Sequence, residues 1–353
     1  MRIGVLTGGG DCPGLNAAIR AIAHRAWMLG DEVYGFREGW AGLLGEGDSS
    51  LLTQDEIAGI LHLGGTILGS SRTNPARSED EMRQVEENLR RREIEGLVTI
   101  GGDDTLSVSA KLSDRGFAVV GVPKTIDNDV PYTDYCIGFD TATDIVGEAL
   151  DRLHTTAESH RRVMVVEVMG RDAGWLAMVG GVGGGADLVI IPEEPMAIDR
   201  VVHHVQHRME SRQFSIVVVA EGAKVEGIES HTSSEVDQFG HQLLATRGIG
   251  TRLAEAIEER TKVEARVTVL GHVQRGGSPS MFDRVLATRL GATAVDYLHE
   301  GRVGVMAAVQ GLEIVPVPFS DVTGHNRTVD RRFFRLVQQF NVVEESEMSH
   351  AHH

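Results

Sequence analysis

Short apolar runs alternate with amphipathic stretches along most of the chain. The short runs predict buried strands at 2–6, 32–36, 97–100, 118–122, 163–168, 188–191, 215–219 and 266–270. The amphipathic stretches predict helices at 17–29, 78–92, 105–115, 140–160 and 250–259. Glycines crowd 180–185 and predict a loop there. Strands that alternate with helices are typical of an α/β protein with mostly parallel sheets.

The predicted strand at 118–122 ends in a loop that carries charged side chains. Lys124, Asp127 and Asp129 follow it closely, behind a proline that fixes the exit from the strand. Two carboxylates this close suit a division of labour between a general base and a Mg²⁺ ligand, while a lysine supplies positive charge to a transferring phosphoryl group. A solvated turn is the alternative, because Asp, Asn and Pro are common turn formers.

A second acidic loop follows the predicted strand at 97–100. Gly101 and Gly102 precede Asp103 and Asp104, and a helix is predicted after them. Glycines let a backbone approach an anion closely, and a helix N-terminus favours negative charge. Two aspartates there would repel a naked phosphate, so they imply a bridging Mg²⁺ or the exclusion of one kind of phosphate. Because ligands of open parallel sheets bind beyond the carboxyl ends of the strands, we expect both acidic loops to share one site.

The start of the chain adds a glycine-rich turn. After the strand at 2–6 come Gly8, Gly9 and Gly10, followed by an apolar helix. This order suits a phosphate cradle, although it fits neither of the common nucleotide-binding glycine motifs. A tight strand-to-helix turn without a ligand is the alternative.

Predicted strands in the second half of the chain also end on polar groups. The residues that follow these strands include Met169, Gly170, Arg171, Glu221, His272 and Arg275. Arginines would hold a phosphate, while Glu221 and His272 could meet hydroxyls or phosphate oxygens of a sugar phosphate. Arg72, in an earlier polar loop, has a guanidinium that could also bind a phosphate through two parallel hydrogen bonds.

Composition narrows the class of ligand and the compartment. A net charge of −17 argues against nucleic acid and anionic membrane as partners, but not against phosphorylated substrates, because arginines can be concentrated locally. The 353 residues are enough for two domains. Only two cysteines, Cys12 and Cys136, suggest a reducing compartment, and no apolar run reaches membrane-spanning length. We therefore expect a cytoplasmic protein.

Five motifs, in order along the chain, resemble those of the 6-phosphofructokinase family. They are Leu-Thr-Gly-Gly-Gly-Asp-x-Pro-Gly-x-Asn at 6–16, Gly-Gly-Asp at 101–103, Pro-x-Thr-Ile-Asp-Asn-Asp at 123–129, Val-Met-Gly-Arg at 168–171 and Gly-His-x-Gln-Arg-Gly-Gly at 271–277. The resemblance implies two doubly wound, mostly parallel-sheet domains with the active site in the cleft between them. A domain for the phosphoryl donor and Mg²⁺ would span 1–138 plus about 274–323, and a domain for fructose 6-phosphate would span 139–273 plus about 324–353.

The same resemblance implies roles for single residues in phosphoryl transfer to the 1-hydroxyl of fructose 6-phosphate. Asp127 would be the base, with Mg²⁺ on Asp103 and Asp129. The groups that would neutralise developing charge are Lys124, Arg72 and Arg171. The donor would contact Gly10, Gly102, Asp104 and Thr105. The sugar phosphate would contact Thr125, Asp127, Arg162, Met169, Gly170, Arg171, Glu221, Arg266, His272 and Arg275.

Two positions point to the phosphoryl donor. By resemblance, ATP-using members typically carry glycine where this chain has Asp104, and ATP-specific bacterial members usually carry glycine in place of Lys124. A fixed carboxylate would repel the α-phosphate of a nucleotide but leave a two-phosphate donor unhindered. We therefore predict a pyrophosphate-dependent phosphofructokinase. The alternatives are an ATP-dependent 6-phosphofructokinase and, more remotely, a non-catalytic sugar-phosphate-binding regulatory protein, which would be expected to have lost Asp103 or Asp127.

The resemblance also bears on assembly and regulation. Arg162 and Arg266 would reach the sugar phosphate from a neighbouring subunit, which predicts a homodimer or homotetramer. His24 and His154 occupy places where allosteric members tend to have arginines, so we expect little nucleotide regulation. The polar segment 224–264 is predicted to hold one or two helices and no chemistry, and the histidines at the end of the chain are predicted to be a frayed tail.

Overall fold

The computed structural model describes residues 1–228 and 248–338. These residues form two compact units. One comprises 1–141 and 275–327, and the other comprises 142–228, 248–274 and 328–338. The ligands predicted for the two domains are not decided by this division and stay predictions. Much of the polar segment at 224–264, and the histidines at the end of the chain, lie outside the described residues.

Strands and helices alternate through both units. In chain order, strands β1 to β13 are Arg2–Thr7, Glu32–Phe36, Ser49–Leu51, Gly96–Gly101, Val119–Pro123, Val163–Val168, Leu188–Ile190, Met196–Ala197, Ser215–Ala220, Val225–Glu226, Ala265–Val269, Val305–Gln310 and Glu313–Pro318. Helices α1 to α11 are Leu15–Met28, Gln54–Ile57, Glu79–Arg91, Asp103–Asp114, Phe139–His160, Trp175–Gly183, Ile198–Arg212, Ile249–Thr261, Met281–His299, Phe319–Val322 and Arg331–Gln338. The predicted α/β class with mostly parallel sheets is confirmed.

The first unit is built on a seven-stranded sheet of order β13-β12-β5-β4-β1-β2-β3. Its inner strands run parallel, and β13 and β3 are antiparallel strands at the two edges. Thr7 pairs with Ile100 and Gly101 pairs with Pro123, so β1, β4 and β5 end at one edge of the sheet. The loops that follow these strands therefore emerge side by side, as expected for a ligand site of a parallel sheet.

The second unit is built on a four-stranded parallel sheet of order β11-β6-β9-β7. Every residue of β6 and β9 is buried, which explains why both strands are apolar almost throughout. Val168 pairs with Ala220, so the polar groups that follow β6 and β9 also emerge together.

Two local predictions are wrong. The glycine-rich stretch at 180–185 lies largely within α6. A Cβ on Gly180 would lie 2.7 Å from Val146, and a Cβ on Gly181 would lie 2.8 Å from Val189. These glycines allow close packing instead of forming a loop. Helix α4 begins at Asp103 instead of 105, so both aspartates belong to its first turn, with Gly102 as the N-cap residue.

Candidate active site

Lys124 joins two of the loops at the edge of the first sheet. It follows β5, and its ammonium Nζ donates to the carbonyl oxygens of Gly8 at 2.9 Å and Gly10 at 2.6 Å. Its residue exposure is 4%, and burial lowers the pKa of the ammonium below its ordinary value. The sequence predicted a cation in a catalytic loop, but not that its ammonium binds the glycine turn.

The glycine turn is also held by the loop that carries Arg72. The hydroxyl Oγ of Ser70 donates to the carbonyl of Gly9 at 2.5 Å, and the amide of Gly9 donates to the carbonyl of Ser71 at 3.0 Å. The hydroxyl of Thr7 donates to the carbonyl of Gly69 at 2.8 Å. The segment that carries Arg72 is therefore hydrogen-bonded directly to the glycine turn.

Arg275 also lies against the glycine turn. A Cβ built on Gly10 would be 1.6 Å from Nη1 of Arg275, so any larger residue here would displace the guanidinium from this position. The Nε atom of Arg275 is buried and has no hydrogen-bond partner in the part of the chain that the structure describes. A buried donor of a charged group without a partner is costly, which makes this position suited to an anionic ligand. The structure thus brings together a residue predicted for the donor and one predicted for the sugar phosphate.

The side chain of Thr105 packs closely against two further glycines. A Cβ on Gly8 would lie 2.4 Å from Oγ1 of Thr105, and a Cβ on Gly101 would lie 2.3 Å from its Cβ. Thr105 is 3% exposed, so it fills the space between the ends of β1 and β4. Its predicted contact with the donor stays a prediction.

Asp103 and Asp104 occupy the first turn of α4. The positive end of a helix dipole stabilises carboxylates there. The amide of Gly324 approaches Oδ1 of Asp103 at 3.3 Å. This helix N-terminus therefore presents the chain's own negative charge where a phosphate would otherwise be favoured.

The loop after β5 is shaped by a residue between its two aspartates. Asn128 adopts a left-handed conformation with φ of 51°, which asparagine tolerates better than most residues. Its amide Nδ2 donates to the carbonyl of Asp134 at 3.2 Å, and its Oδ1 accepts from the amide of Cys136 at 2.9 Å. Asn128 is buried, whereas Asp127 and Asp129 on either side are half-buried. The motif gives Asn128 no predicted role, although an Asn between two aspartates in a loop is a signal for such a turn.

In the second unit, Arg171 and Glu221 come together. Glu221 donates its amide to the carbonyl of Val168 at 2.8 Å, and its carboxylate lies 3.9 Å from Nε of Arg171. A Cβ on Gly222 would be 1.8 Å from the carbonyl oxygen of Arg171, so glycine is required for this approach. Gly170 has φ of 123°, which favours glycine for a different reason.

Gln274 connects the loop that carries Met169 with the turn that begins at Gly271. It is fully buried, its Oε1 accepts from the amide of Met169 at 3.4 Å, and its Nε2 donates to the carbonyl of Gly271 at 3.0 Å. His272, in the same turn, is exposed. The buried Gln274 belongs to the Gly-His-x-Gln-Arg-Gly-Gly motif, but its supporting role is apparent only from these hydrogen bonds.

Arg162 and Arg266 share one counter-ion. The Nη2 atom of Arg162 lies 3.3 Å from Glu264, and the Nη2 atom of Arg266 lies 2.5 Å from the other oxygen of the same carboxylate. They meet because β6 and β11 are neighbours, with Val163 opposite Ala265. Two guanidinium groups on one carboxylate leave a net positive charge at this edge of the second unit.

A cavity of about 380 Å³ opens beside Arg171 in the second unit. Its lining residues are Arg171, Asp172, Pro192, Glu193, Gly222, Lys224, Thr328, Val329 and Arg331. Glu193 shapes it, because its carboxylate accepts from the amides of Gly174 at 3.0 Å and Val329 at 2.9 Å. Lys224 and Arg331, which have no predicted role from the sequence, add positive charge to this wall.

Comparison with known proteins places the chain in a family. The family model named Phosphofructokinase matches residues 2–298. A pyrophosphate–fructose 6-phosphate 1-phosphotransferase of Streptomyces coelicolor is 52% identical over 96% of this chain and 99% of that protein. An ATP-dependent 6-phosphofructokinase 3 of the same organism is 49% identical over 94% of this chain and 98% of that protein. The chain belongs to the phosphofructokinase family, as the motifs predicted.

A solved structure supports the fold. The structure of a pyrophosphate-dependent phosphofructokinase from Marinobacter aquaeolei matches 98% of this chain and 92% of its own chain, with a TM-score of 0.82 at 23% identity. Within residues 1–228 and 248–338, no group of three or more His, Cys, Asp or Glu side chains is placed to hold a metal ion. Among the helices that the structure describes, none is long and apolar enough to cross a membrane.

Proposed function

We propose that this chain reversibly transfers a phosphoryl group from diphosphate to the 1-hydroxyl of fructose 6-phosphate, giving fructose 1,6-bisphosphate and inorganic phosphate. The observation that carries the choice of donor is the position of Asp104 in the first turn of α4. A nucleotide would bring a further phosphate toward this fixed negative charge, whereas diphosphate would not. The relatives named for pyrophosphate support the same choice.

The chemistry at the acceptor needs a base and a supply of positive charge. Asp127 removes the proton of the sugar 1-hydroxyl, and its turn is held by the hydroxyl of Thr125, which accepts from the amide of Asp127 at 3.1 Å. Arg72 and Arg171 neutralise the charge that develops on the transferring group. Lys124 contributes its charge from within the glycine turn, beside Gly10.

The residues proposed for Mg²⁺ suit that ion. Asp103 and Asp129 offer hard oxygen ligands, and they follow β4 and β5, which are adjacent and parallel. Mg²⁺ usually keeps several waters and is held by one or two carboxylates together with substrate phosphates. A two-carboxylate site of this kind is completed by the donor. When bound by Asp103 and Asp129, the ion would neutralise negative charge on the donor.

The sugar phosphate is proposed to lie on the second set of residues. Met169, Gly170, Arg171, Glu221 and Thr125 contact the sugar. His272 and Arg275 meet its 6-phosphate, together with Arg162 and Arg266 of a neighbouring subunit. The shared Glu264 keeps these two arginines adjacent before a phosphate arrives, which supports their joint role. This proposal requires a homodimer or homotetramer.

A second candidate is ATP as the donor, because an ATP-dependent relative is only slightly less similar than the pyrophosphate-dependent one. The proposed compartment is the cytoplasm. It is supported by Cys12 and Cys136, which are both buried free thiols.

Initial rates of fructose 6-phosphate phosphorylation, measured with Mg²⁺ and either diphosphate or ATP, identify the phosphoryl donor. We expect the native chain to use diphosphate only. We expect Asp104→Gly to gain activity with ATP, at least about tenfold above the detection limit at which the native chain shows none, because the repelling carboxylate is gone. Asp114→Gly, at the other end of α4, controls for the cost of a glycine in this helix. Efficient use of ATP by the native chain would replace the diphosphate assignment with the ATP one.

A further inference from the structure

Three successive carbonyls of the glycine turn accept hydrogen bonds from side chains. Lys124 binds the carbonyls of Gly8 at 2.9 Å and Gly10 at 2.6 Å, and Ser70 binds the carbonyl of Gly9 at 2.5 Å. These donors come from two different loops, far from the turn in sequence. Glycine has no side chain to restrict its backbone, so without such bonds this turn would sample many conformations.

Two amides of the turn donate hydrogen bonds within the described residues, and the next two do not. The amide of Gly8 donates to the carbonyl of Ile100 at 2.9 Å, and that of Gly9 donates to Ser71 at 3.0 Å. The amides of Gly10 and Asp11 have no acceptor in the part of the chain that the structure describes. Two adjacent amides without acceptors are a common way to bind a phosphate oxygen.

Peptide geometry connects the bound carbonyls to these two amides. A trans peptide unit is planar, and its C=O and N–H point in opposite directions. Ser70 holds the C=O of the peptide whose N–H belongs to Gly10. Lys124 holds the C=O of the peptide whose N–H belongs to Asp11. Each of these side chains therefore sets the direction of one available amide.

The surroundings of these amides suit an anion. The guanidinium of Arg275 packs directly on Gly10, and the ammonium of Lys124 lies within the turn. Two cations beside the same short turn repel one another, and an anion at this position would relieve that repulsion.

We propose that Ser70 and Lys124 are positioning residues for the phosphoryl donor, which orient the amides of Gly10 and Asp11 toward a phosphate group of diphosphate. This inference rests on the proposed function for the identity of the donor. Ser70 also precedes Arg72 closely in the chain, so its bond to Gly9 keeps the arginine and the turn in one arrangement. Besides the positive charge it contributes, Lys124 acts on donor binding through the turn it holds.

The neighbouring serines provide a matched pair of variants. Both hydroxyls donate to a backbone carbonyl, Ser70 to Gly9 at 2.5 Å and Ser71 to Glu38 at 2.6 Å, and both residues are half-buried. Only Ser70 holds the glycine turn through its side chain. We expect Ser70→Ala to raise KM for diphosphate by about tenfold, with KM for fructose 6-phosphate unchanged, whereas Ser71→Ala changes neither by more than about twofold.

Further variants separate positioning from general destabilisation. Ser70→Thr keeps the hydroxyl and is expected to restore KM for diphosphate to within about threefold of the native value. Lys124→Met is expected to raise KM for diphosphate by about a hundredfold, because the carbonyls of Gly8 and Gly10 lose their hydrogen-bond donor. Loss of folded protein would lower kcat and leave both KM values as they were. Calorimetric titration with diphosphate and Mg²⁺ measures donor affinity without turnover.

The outcomes distinguish this inference from the proposed function. Equal donor KM values and equal diphosphate affinities for Ser70→Ala and Ser71→Ala would overturn the positioning role, whatever the native activity. A native chain that uses ATP and not diphosphate would overturn the proposed donor. The serine comparison is then made with ATP, and a selective rise in KM for ATP in Ser70→Ala would support the positioning role.

Discussion

At the scale of single residues, several glycines of the site lie very close to other atoms. Gly10 leaves room for the guanidinium of Arg275, and Gly8 leaves room for the hydroxyl of Thr105. Gly222 faces the carbonyl oxygen of Arg171, which is backbone and cannot move aside like the end of a side chain. These contacts make the glycines part of the site, although none of them contributes a side chain.

Gly222→Ala tests this requirement. The new Cβ would be 1.8 Å from the carbonyl oxygen of Arg171, so the two loops must separate. We expect a loss of about 1–3 kcal/mol in the free energy of unfolding, the usual cost of overpacking, together with a large fall in kcat because Arg171 is displaced. Urea unfolding and initial rates measure the two effects.

Gly147→Ala is the matched control. This glycine lies within α5, and a Cβ there would meet nothing within 4 Å. We expect it to stabilise the chain by about 0.5–1 kcal/mol, because alanine suits a helix better than glycine. Equal stability and activity of the two variants would contradict the contact inferred for Gly222.

At the scale of secondary structure, the carboxyl group of Asp283 joins the starts of two helices. Asp283 lies in the first turn of α9 and is fully buried. It accepts from the amides of Gly138 and Thr141, each at 2.9 Å, and from the hydroxyl of Thr141 at 2.5 Å. It therefore satisfies amides at the start of α5 that have no partner within the helix. Burial raises the pKa of Asp283 to about 6.

This raised pKa predicts how stability depends on pH. Between about pH 4 and pH 6 the folded chain retains a proton on Asp283 that the unfolded chain has lost. The contribution of this group to stability is therefore fully present below about pH 4 and is lost as pH rises through about 6. Compared with Asp283→Asn, the free energy of unfolding of the native chain should fall by about 3 kcal/mol across that interval.

Urea unfolding of both chains at intervals from pH 4 to pH 7.5 measures this difference. Other titrating groups affect the two chains alike, so the difference between the curves isolates Asp283. Parallel curves over the whole range would show that Asp283 titrates with an ordinary pKa.

At the scale of the whole molecule, positive charge is concentrated locally in a chain of net charge −17. Arg162 and Arg266 lie together on Glu264, and Arg275 lies against the glycine turn. An acidic protein can in this way bind phosphorylated substrates without attracting polyanions over its whole surface. If Arg162 and Arg266 serve a neighbouring subunit, each complete site draws on two chains.

Mixing two inactive variants tests that sharing. Asp127→Asn removes the proposed base, and Arg266→Ala removes a group proposed to act in the neighbouring site, so each variant alone should lose most of its activity. After random subunit exchange, about a quarter of native activity should return, because a mixed pair contains one fully native site. Initial rates before and after exchange measure the recovery, and mixed pairs that form without any recovery would place both residues in the site of one chain.

The apolar pattern alone determined much of the framework. The strand predicted at 163–168 matches β6, and the strand predicted at 32–36 matches β2, because buried parallel strands are short apolar runs with glycine or polar residues at their ends. Glycine, aspartate and arginine at strand ends also indicated where a phosphate site would lie, since the residue types follow from the chemistry. The sequence pattern does not predict strands β12 and β13, and it wrongly predicts a loop for the glycine-rich part of α6.

Only the tertiary structure decided what the individual side chains of the site contact. Lys124 binds carbonyls more than a hundred residues earlier in the chain, and Ser70 binds Gly9 across 61 residues. Asp283 reaches Gly138 across 145 residues. Local patterns report burial and turn chemistry, but a hydrogen bond depends on direction and distance, which are fixed only when strands and helices pack. The residues proposed to carry the chemistry are therefore predicted from the sequence, whereas the hydrogen bonds that position them are not.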